Sequence, residues 1–145
     1  DDQRAAGQHY GEPKKLAPTT IVKALRGEPI TIYGDGTQTV DHIYVKEAVS
    51  ATIGVFESDE LMGIPVDIGT GMDMSVNDFV LHVLNQTNSK SEVKYEPMRS
   101  GESDHSVVRA DTRLMRYAAH YVLTVSFTDA LRETIDWYRN SEWLR

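Results

Sequence analysis

Apolar positions recur at helical spacing in several stretches of the chain, and short apolar runs fall between them. Ile21, Val22, Ala24 and Leu25 follow Pro18 and stop at Gly27, which predicts a helix with proline in its first turn and glycine just past its end. Val45, Ala48, Val49, Thr52, Ile53 and Phe56 form a stripe at the same period and predict a second helix, weakened slightly by Gly54. Ser75 with Asp78 three residues later predicts a capped start, after which Val76, Phe79, Val80, Val83 and Leu84 line one face. Ser126 and Asp129 repeat that device ahead of Phe127, Ala130, Leu131, Ile135 and Tyr138. A further helix is predicted from Asp111 through Leu114, Met115 and Ala118. Strands are predicted at Ile30 to Tyr33, Val66 to Ile68, Val93 to Tyr95 and Val107-Val108. Helices and short strands thus alternate. The expected fold is a mixed α/β (α+β) domain, mostly helical, with strands too few and short for a complete doubly wound sheet. Two polar loops, Gly34 to Asp41 and Met98 to His105, hold the residue types that contact ligands.

A chain of 145 residues suits one compact domain, residues 1–145, with residues 1–14 leading into it. Its 40% hydrophobic and 26% charged residues are those of a globular protein. The net charge of −7 argues against a nucleic-acid surface, which needs a clustered basic field. It leaves room for a phosphorylated small molecule, because one or two aimed Arg or Lys side chains can hold a diphosphate. No stretch reaches membrane-spanning length, and Asp1-Asp2-Gln3-Arg4 does not read as a signal peptide, so no membrane partner and a cytoplasmic location are expected. Zero cysteines exclude disulfides, thiolate metal sites and cysteine nucleophiles.

Most isolated chemical motifs weaken on inspection. Gly69-Thr70-Gly71 lies between a predicted strand and a predicted helix, as a phosphate-cradling turn would, but Met74 stands where a third glycine belongs; a tight turn is the expectation. Tyr10 and Lys14 have the spacing of a helical Tyr–Lys proton-transfer pair, yet Gly11 and Pro13 oppose the helix that would stack them. Asp104-His105-Ser106 names three triad residue types at adjacent positions, which cannot generally fold into a relay. His82 one turn after Asp78 predicts a surface pairing, and no acidic or histidine cluster has metal-ligand spacing.

The most informative stretch is Gly27-Glu28-Pro29 followed by Ile32-Tyr33-Gly34-Asp35-Gly36 and Gln38-Thr39-Val40-Asp41. It resembles the substrate-half signature of the NAD-dependent epimerase/dehydratase family, the extended short-chain dehydrogenases that remodel nucleotide sugars, whose usual form is close to GEPxxIYGDGxQxRDxxYV. Other segments follow the same family in order. Tyr10-Gly11-Glu12 resembles its YGP turn, and Lys15-Leu16-Ala17-Pro18 the K-L-x-P start of a substrate-domain helix. Asp67 to Gly71 resembles its NxGxG turn, Arg99-Ser100-Gly101-Glu102 its R-P-G-[DE], Asp111-Thr112 its A-D-[TS], and Ser126 to Tyr138 its terminal helix. The likeness covers about Tyr10 to Tyr138.

The resemblance implies a small substrate-binding domain for a UDP- or dTDP-sugar. Thr31, Ile32 and Tyr33 would offer backbone groups and an aromatic face to the base, Gln38 would reach ribose or phosphate, Arg99 the diphosphate and Glu102 the ribose hydroxyls. Lys15 and Leu16 would contact the ligand from the first helix. Asp35 and Asp41 are expected to fix the loop through local Asx bonds. One departure is plain: Val40 stands where the family has the arginine of QxRD, whose fork grips the diphosphate. The family's cofactor loop and Tyr–Lys pair are not found, so no cofactor is expected in this chain, and NAD(P) only with a separate or missing Rossmann half. In a full-length relative, hydride transfer to NAD yields a transient ketosugar for epimerisation or dehydration; this chain would supply position and discrimination without catalysis. Two alternatives stand beside that reading. One is a non-catalytic domain that has lost the sugar site and self-associates as a homo-oligomer or binds a partner; the other is a fragment of a complete NAD-dependent nucleotide-sugar epimerase or dehydratase.

Overall fold

A computed structural model describes residues 15–103, 105–117, 119–141 and 144. The lead-in 1–14 with Tyr10 and Lys14, and also Asp104 and Ala118, lie outside the described residues. In chain order the elements are helix α1 (Leu16–Arg26), strands β1 (Ile30–Tyr33) and β2 (Thr39–Asp41), helix α2 (Val45–Phe56), strand β3 (Asp73–Ser75), helix α3 (Val76–Thr87), strands β4 (Val93–Glu96) and β5 (Val107–Val108), and helices α4 (Arg113–Tyr117) and α5 (Phe127–Asn140). A 3-10 turn spans Asp59–Leu61.

The punctuation works as the sequence predicts. Ser75 and Ser126 accept the N–H of Asp78 and Asp129 at 3.0 and 3.1 Å, satisfying donors that the first helical turn leaves free. Gly27 ends α1 at φ +71°, a left-handed conformation that glycine adopts without a Cβ penalty.

Three helices cover one face of a two-stranded parallel sheet. Ile30 and Ile32 of β1 point into a cluster formed by Ile21 and Ala24 of α1, by Val76, Phe79, Val80 and Val83 of α3, and by Leu131 and Ile135 of α5. Burying each Ile, Leu or Phe side chain contributes about 1.5–3 kcal/mol. β1 pairs in parallel with β4, Ile30 opposite Val93 and Tyr33 opposite Glu96, so the alternate residues Thr31 and Tyr33 lie on the sheet's other, half-buried face. The architecture is the expected mixed α/β one with few short strands.

A second sheet, in the order β3-β2-β5, departs from the predicted pattern. β2 lies within the stretch predicted as a polar loop, and β3 follows the glycine turn. The predicted strand Val66 to Ile68 forms no ladder among the described residues. The reason is physical: a strand is stable only with a neighbour, and Thr39–Asp41 finds two while Val66 to Ile68 finds none there. Asp41 and Asp73 face each other across the antiparallel pair, a repulsive juxtaposition. It is relieved by Arg109, whose Nη1 lies 3.3 Å from Asp73, and by N–H donors to Asp41 described below.

α2 spans the predicted residues, but its apolar stripe faces outward. Val45, Val49, Ile53 and Phe56 are exposed, Phe56 to 90%, whereas Ala51 and the carboxylate-bearing Glu47 are buried. Glu47, at 3% exposure, accepts from the Tyr121 hydroxyl, from the N–H and Oγ1 of Thr124 at 2.9 and 2.8 Å, and from the Val125 N–H at 2.8 Å. Buried polar groups persist when so satisfied. Two smaller differences complete the comparison. α4 is only five residues long, with Met115 buried, and His82 packs edge-on against Phe127 at 5.3 Å in place of the predicted pairing with Asp78, whose carboxylate takes the Ser75 hydroxyl.

Burial pushes the Glu47 carboxyl up, but the Tyr121 hydroxyl and the donors of Thr124 and Val125 together hold it below its ordinary value. Burial and then Glu47 push the Tyr121 hydroxyl up to about 12. A depressed carboxyl contributes stability that is fully present above the ordinary value of 4.5 and is lost as pH falls through the folded value. Glu47→Gln is therefore expected to cost about 1–3 kcal/mol at neutral pH. In urea titrations its deficit relative to the wild type should shrink as pH falls below 4; a deficit constant with pH would contradict the assignment.

Candidate nucleotide-facing site

The geometry follows from the parallel ladder. The N–H of Ile30 donates to Glu92 O and that of Gly34 to Glu96 O, both at 2.8 Å. In a parallel pair the bonding residues alternate, so Ile30, Ile32 and Gly34 address β4 while the backbone groups of Thr31 and Tyr33 point to the opposite edge. No strand pairs with that edge among the described residues. Gln38 Nε2 donates to Tyr33 O at 2.9 Å, which leaves the Gln38 amide oxygen without a partner among the described residues. Gln38 is thus tied to the strand end it was expected to flank.

The loop beyond Tyr33 is held from two sides. Asp35 Oδ1 accepts the N–H and Oγ1 of Thr37 at 2.9 and 2.7 Å, the local Asx arrangement that its sequence predicts. The Thr37 hydroxyl, then its N–H, keep the Asp35 carboxyl below its ordinary range against some desolvation, with a smaller effect from His105. From the other side Asn77, in the first turn of α3, donates its Nδ2 to Asp35 O at 2.9 Å and its N–H to Gly36 O at 3.1 Å, and accepts the Tyr95 hydroxyl at 3.1 Å. Gly36 sits at φ +76°, and a Cβ there would fall 2.1 Å from Asn77 Oδ1.

Across the strand end, Arg99 lies over the Tyr33 ring, its guanidinium carbon 4.8 Å from the centroid. Its Nε and Nη2 donate to Glu102 Oε2 at 3.2 and 2.8 Å. Beside this pair opens a solvent-facing cleft of about 690 Å³ lined by Gly34, Asp35, Tyr95, Glu96, Pro97, Met98 and His105. The structure therefore brings Tyr33, Gln38, Arg99 and Glu102 together at one end of β1, with Thr31 two residues along the same edge. Lys15 is exposed at the N-cap of α1, and Leu16 packs its side chain on the core cluster. Their placement against the other candidates is set only by α1 packing beside β1. Val40 lies mid-strand in β2, opposite Met74 and Val108, as an apolar cross-strand neighbour.

Asp41 corrects the expectation of a local Asx bond. Its carboxylate accepts the Thr70 N–H and Oγ1 at 3.0 and 2.5 Å, the Gly71 N–H at 2.8 Å and the Ala110 N–H at 3.3 Å. These bonds decide the glycine turn as well. The Thr70 and Gly71 N–H groups that a pyrophosphate would need already serve Asp41, and Gly69 packs so closely on Ala110 that a Cβ would lie 2.4 Å from its methyl. The turn does not fit a dinucleotide cradle. Among the described residues no group of three acidic or histidine side chains could hold a metal ion, and no helix is long and apolar enough to cross a membrane.

Residues 4–69 match the NAD dependent epimerase/dehydratase family. The chain is 29% identical over 131 residues to the UDP-N-acetyl-alpha-D-glucosaminuronate decarboxylase of Bacillus cytotoxicus, covering 88% of this chain and 40% of that protein. It superimposes on the UDP-N-acetylglucosamine 4-epimerase of Methanobrevibacter ruminantium M1, solved with UDP-N-acetylmuramic acid, with TM-score 0.74, 29% identity and coverage of 90% of this chain and 40% of that one. The chain thus resembles proteins of the NAD-dependent epimerase/dehydratase family in both sequence and fold. A second solved structure, the UDP-glucose 4-epimerase of Thermotoga maritima with UDP-glucose, matches with TM-score 0.75 and 25% identity over 90% of this chain and 43% of its own length. The chain spans about 40% of the length of the curated decarboxylase that it matches.

The sequence motifs name the residues at the two ends of this surface but give no sign of what holds the loop between them. Asn77 reads only as a polar residue inside a capped helix, and its three contacts all lie far off in sequence. Lys94 is another omission: it stands in register with Thr31 on the outer sheet face, 3.3 Å from Glu92. Strand alternation hints at its face, but the register that sets it beside Thr31 has no local signal.

The Gly36–Asn77 contact gives a direct comparison. Gly27→Ala meets open space and should cost about 1 kcal/mol for its positive φ alone. Gly36→Ala, which adds the collision with Asn77, should cost about 1–3 kcal/mol and shift the Tyr95 ring resonances. Equal losses in urea unfolding, with Tyr95 unmoved, would contradict the role given to Asn77.

Proposed function

We propose that this chain binds a nucleoside-diphosphate sugar and forms the substrate-binding part of an epimerase or dehydratase. The observation that carries the reading is the open edge of β1, where Thr31 and Tyr33 present backbone groups beside an aromatic ring, with the Arg99 guanidinium against that ring. A base edge needs such donors and acceptors, and a diphosphate needs a forked cation. In this reading Glu102 takes ribose hydroxyls, and Lys15 and the backbone of Leu16 meet the ligand from the start of α1. Lys94 adds a second cation on the same sheet face, which offsets in part the arginine replaced by Val40. The UDP-sugars bound in the similar Thermotoga maritima and Methanobrevibacter ruminantium structures support this ligand class.

Catalysis requires groups that this reading assigns to a cofactor half. That half supplies NAD(P) and the proton-transfer pair; the part played here is orientation and discrimination of the sugar nucleotide. The outward stripe of α2, Val45, Val49, Ile53 and Phe56, offers an apolar helix face of the kind that packs on a parallel sheet.

Isotope-labelled protein titrated with UDP-glucose and with dTDP-glucose should show amide shifts at Thr31 to Gln38 and at Arg99 to Glu102. Arg99→Ala should weaken binding by about 10- to 100-fold, the worth of one or two hydrogen bonds to a charged group. Absence of shifts at millimolar ligand would reject the reading for this chain. NAD alone should leave Gly69 to Gly71 unmoved.

A second reading, a non-catalytic domain that self-associates, is favoured by the same exposed α2 stripe. Sedimentation would then show a dimer that Val49→Lys with Ile53→Lys dissociates without loss of helicity. A wild-type chain that stays monomeric at all concentrations rejects it.

A further inference from the structure

Arg99 is engaged twice before any ligand arrives. Its guanidinium carbon lies 4.8 Å from the Tyr33 ring centroid, and two of its nitrogens converge on one oxygen of Glu102 at 3.2 and 2.8 Å. The partners are joined by a tight turn: the Glu102 N–H donates to Arg99 O at 3.0 Å, and Gly101 between them adopts φ +85°. The pairing is therefore local and forms without any ligand. A cation over an aromatic face covers the area on which a base would stack. A carboxylate in the guanidinium fork takes the donors that a phosphate would need. Both side chains are about half exposed, so water screens the pair and it is weak enough to be exchanged.

We propose that Arg99 is a self-docked latch: in the free protein it occupies both halves of the nucleotide site, and a nucleoside diphosphate binds by exchange, its phosphates replacing Glu102 in the fork and its base replacing the guanidinium on Tyr33. The proposal rests on the reading that this site takes a nucleoside diphosphate. The exchange does three things at once. It uncovers the ring, moves the cation toward the phosphates and frees the Glu102 carboxylate for the ribose. A ligand with only one half, a nucleoside or a bare diphosphate, must break the latch for half of the return. The site therefore discriminates against both fragments without adding any contact to the whole ligand. Gln38 and Asn77 hold the Tyr33 backbone and the following loop in place while the side chains exchange.

The test uses UDP, uridine and inorganic pyrophosphate on the full chain. In the free protein, nuclear Overhauser contacts should link the Arg99 side chain to the Tyr33 ring and vanish when UDP binds. Glu102→Gln, which removes the competitor for the fork, should tighten pyrophosphate by about 2- to 5-fold, the range of an exposed ion pair. Arg99→Ala, which uncovers the ring, should tighten uridine while weakening pyrophosphate. Arg99–Tyr33 contacts that persist in the UDP complex overturn the latch, as does uridine weakened by Arg99→Ala or pyrophosphate unaffected or weakened by Glu102→Gln. UDP that binds with shifts at Thr31 to Gln38 but without these responses leaves the ligand reading standing and rejects the latch alone. UDP that fails to bind at millimolar concentration rejects the ligand reading and the latch with it.

Discussion

The parallel pairing of β1 with β4 is the constraint from which the site follows. It fixes one face of β1 inward, where Ile30 and Ile32 close the core beneath α1, α3 and α5, and it commits alternate backbone groups to β4. What is left over, the Thr31 and Tyr33 backbone on the far edge and their side chains on the far face, is the material of the proposed nucleotide-facing surface. A slip of one residue in that register would exchange the two faces and bury Tyr33 in place of Ile32. Fold and site are thus one choice made by one short strand.

Long-range polar bonds then fix the loops that the ladder does not reach. Asn77 ties the Gly34 to Gly36 turn to the start of α3, Asp41 gathers the glycine turn and Ala110, and Glu47 anchors the Tyr121 to Val125 segment to α2. Each is a polar side chain whose acceptors are filled by donors far away in sequence, which is the condition under which such groups lie inside a fold at little cost. Asp41 has a second consequence for function, since it consumes the N–H groups that would make the glycine turn an anion cradle.

What the sequence made legible were features with local causes. The serine–aspartate caps, the Gly27 stop and the strand at Ile30 to Tyr33 are written in neighbouring residues, and the motif from Ile32 to Gly36 and at Arg99 to Glu102 carried the family likeness. What stayed hidden depended on partners. Thr39–Asp41 and Asp73–Ser75 are three residues each, without apolar period, and become strands only because they meet. Val66 to Ile68 has strand-like residues and meets no neighbour among those described. α2 shows the limit most clearly: its period predicts a helix correctly, but period alone does not say which face is covered, and the stripe that resembles a core face is the exposed one. The roles of Asp41, Asn77 and Lys94 were hidden for the same reason.

The central claim is that the free edge of β1 is where a nucleotide binds, and hydrogen exchange of its individual amides tests it directly. In the free protein, Ile30, Ile32 and Gly34 should exchange slowly and Thr31 and Tyr33 quickly, the alternation that the parallel ladder imposes. Adding UDP should slow Thr31 and Tyr33 and leave the other three unchanged. Amides of Thr31 and Tyr33 that are slow from the start, or that remain fast at saturating UDP, would contradict the account.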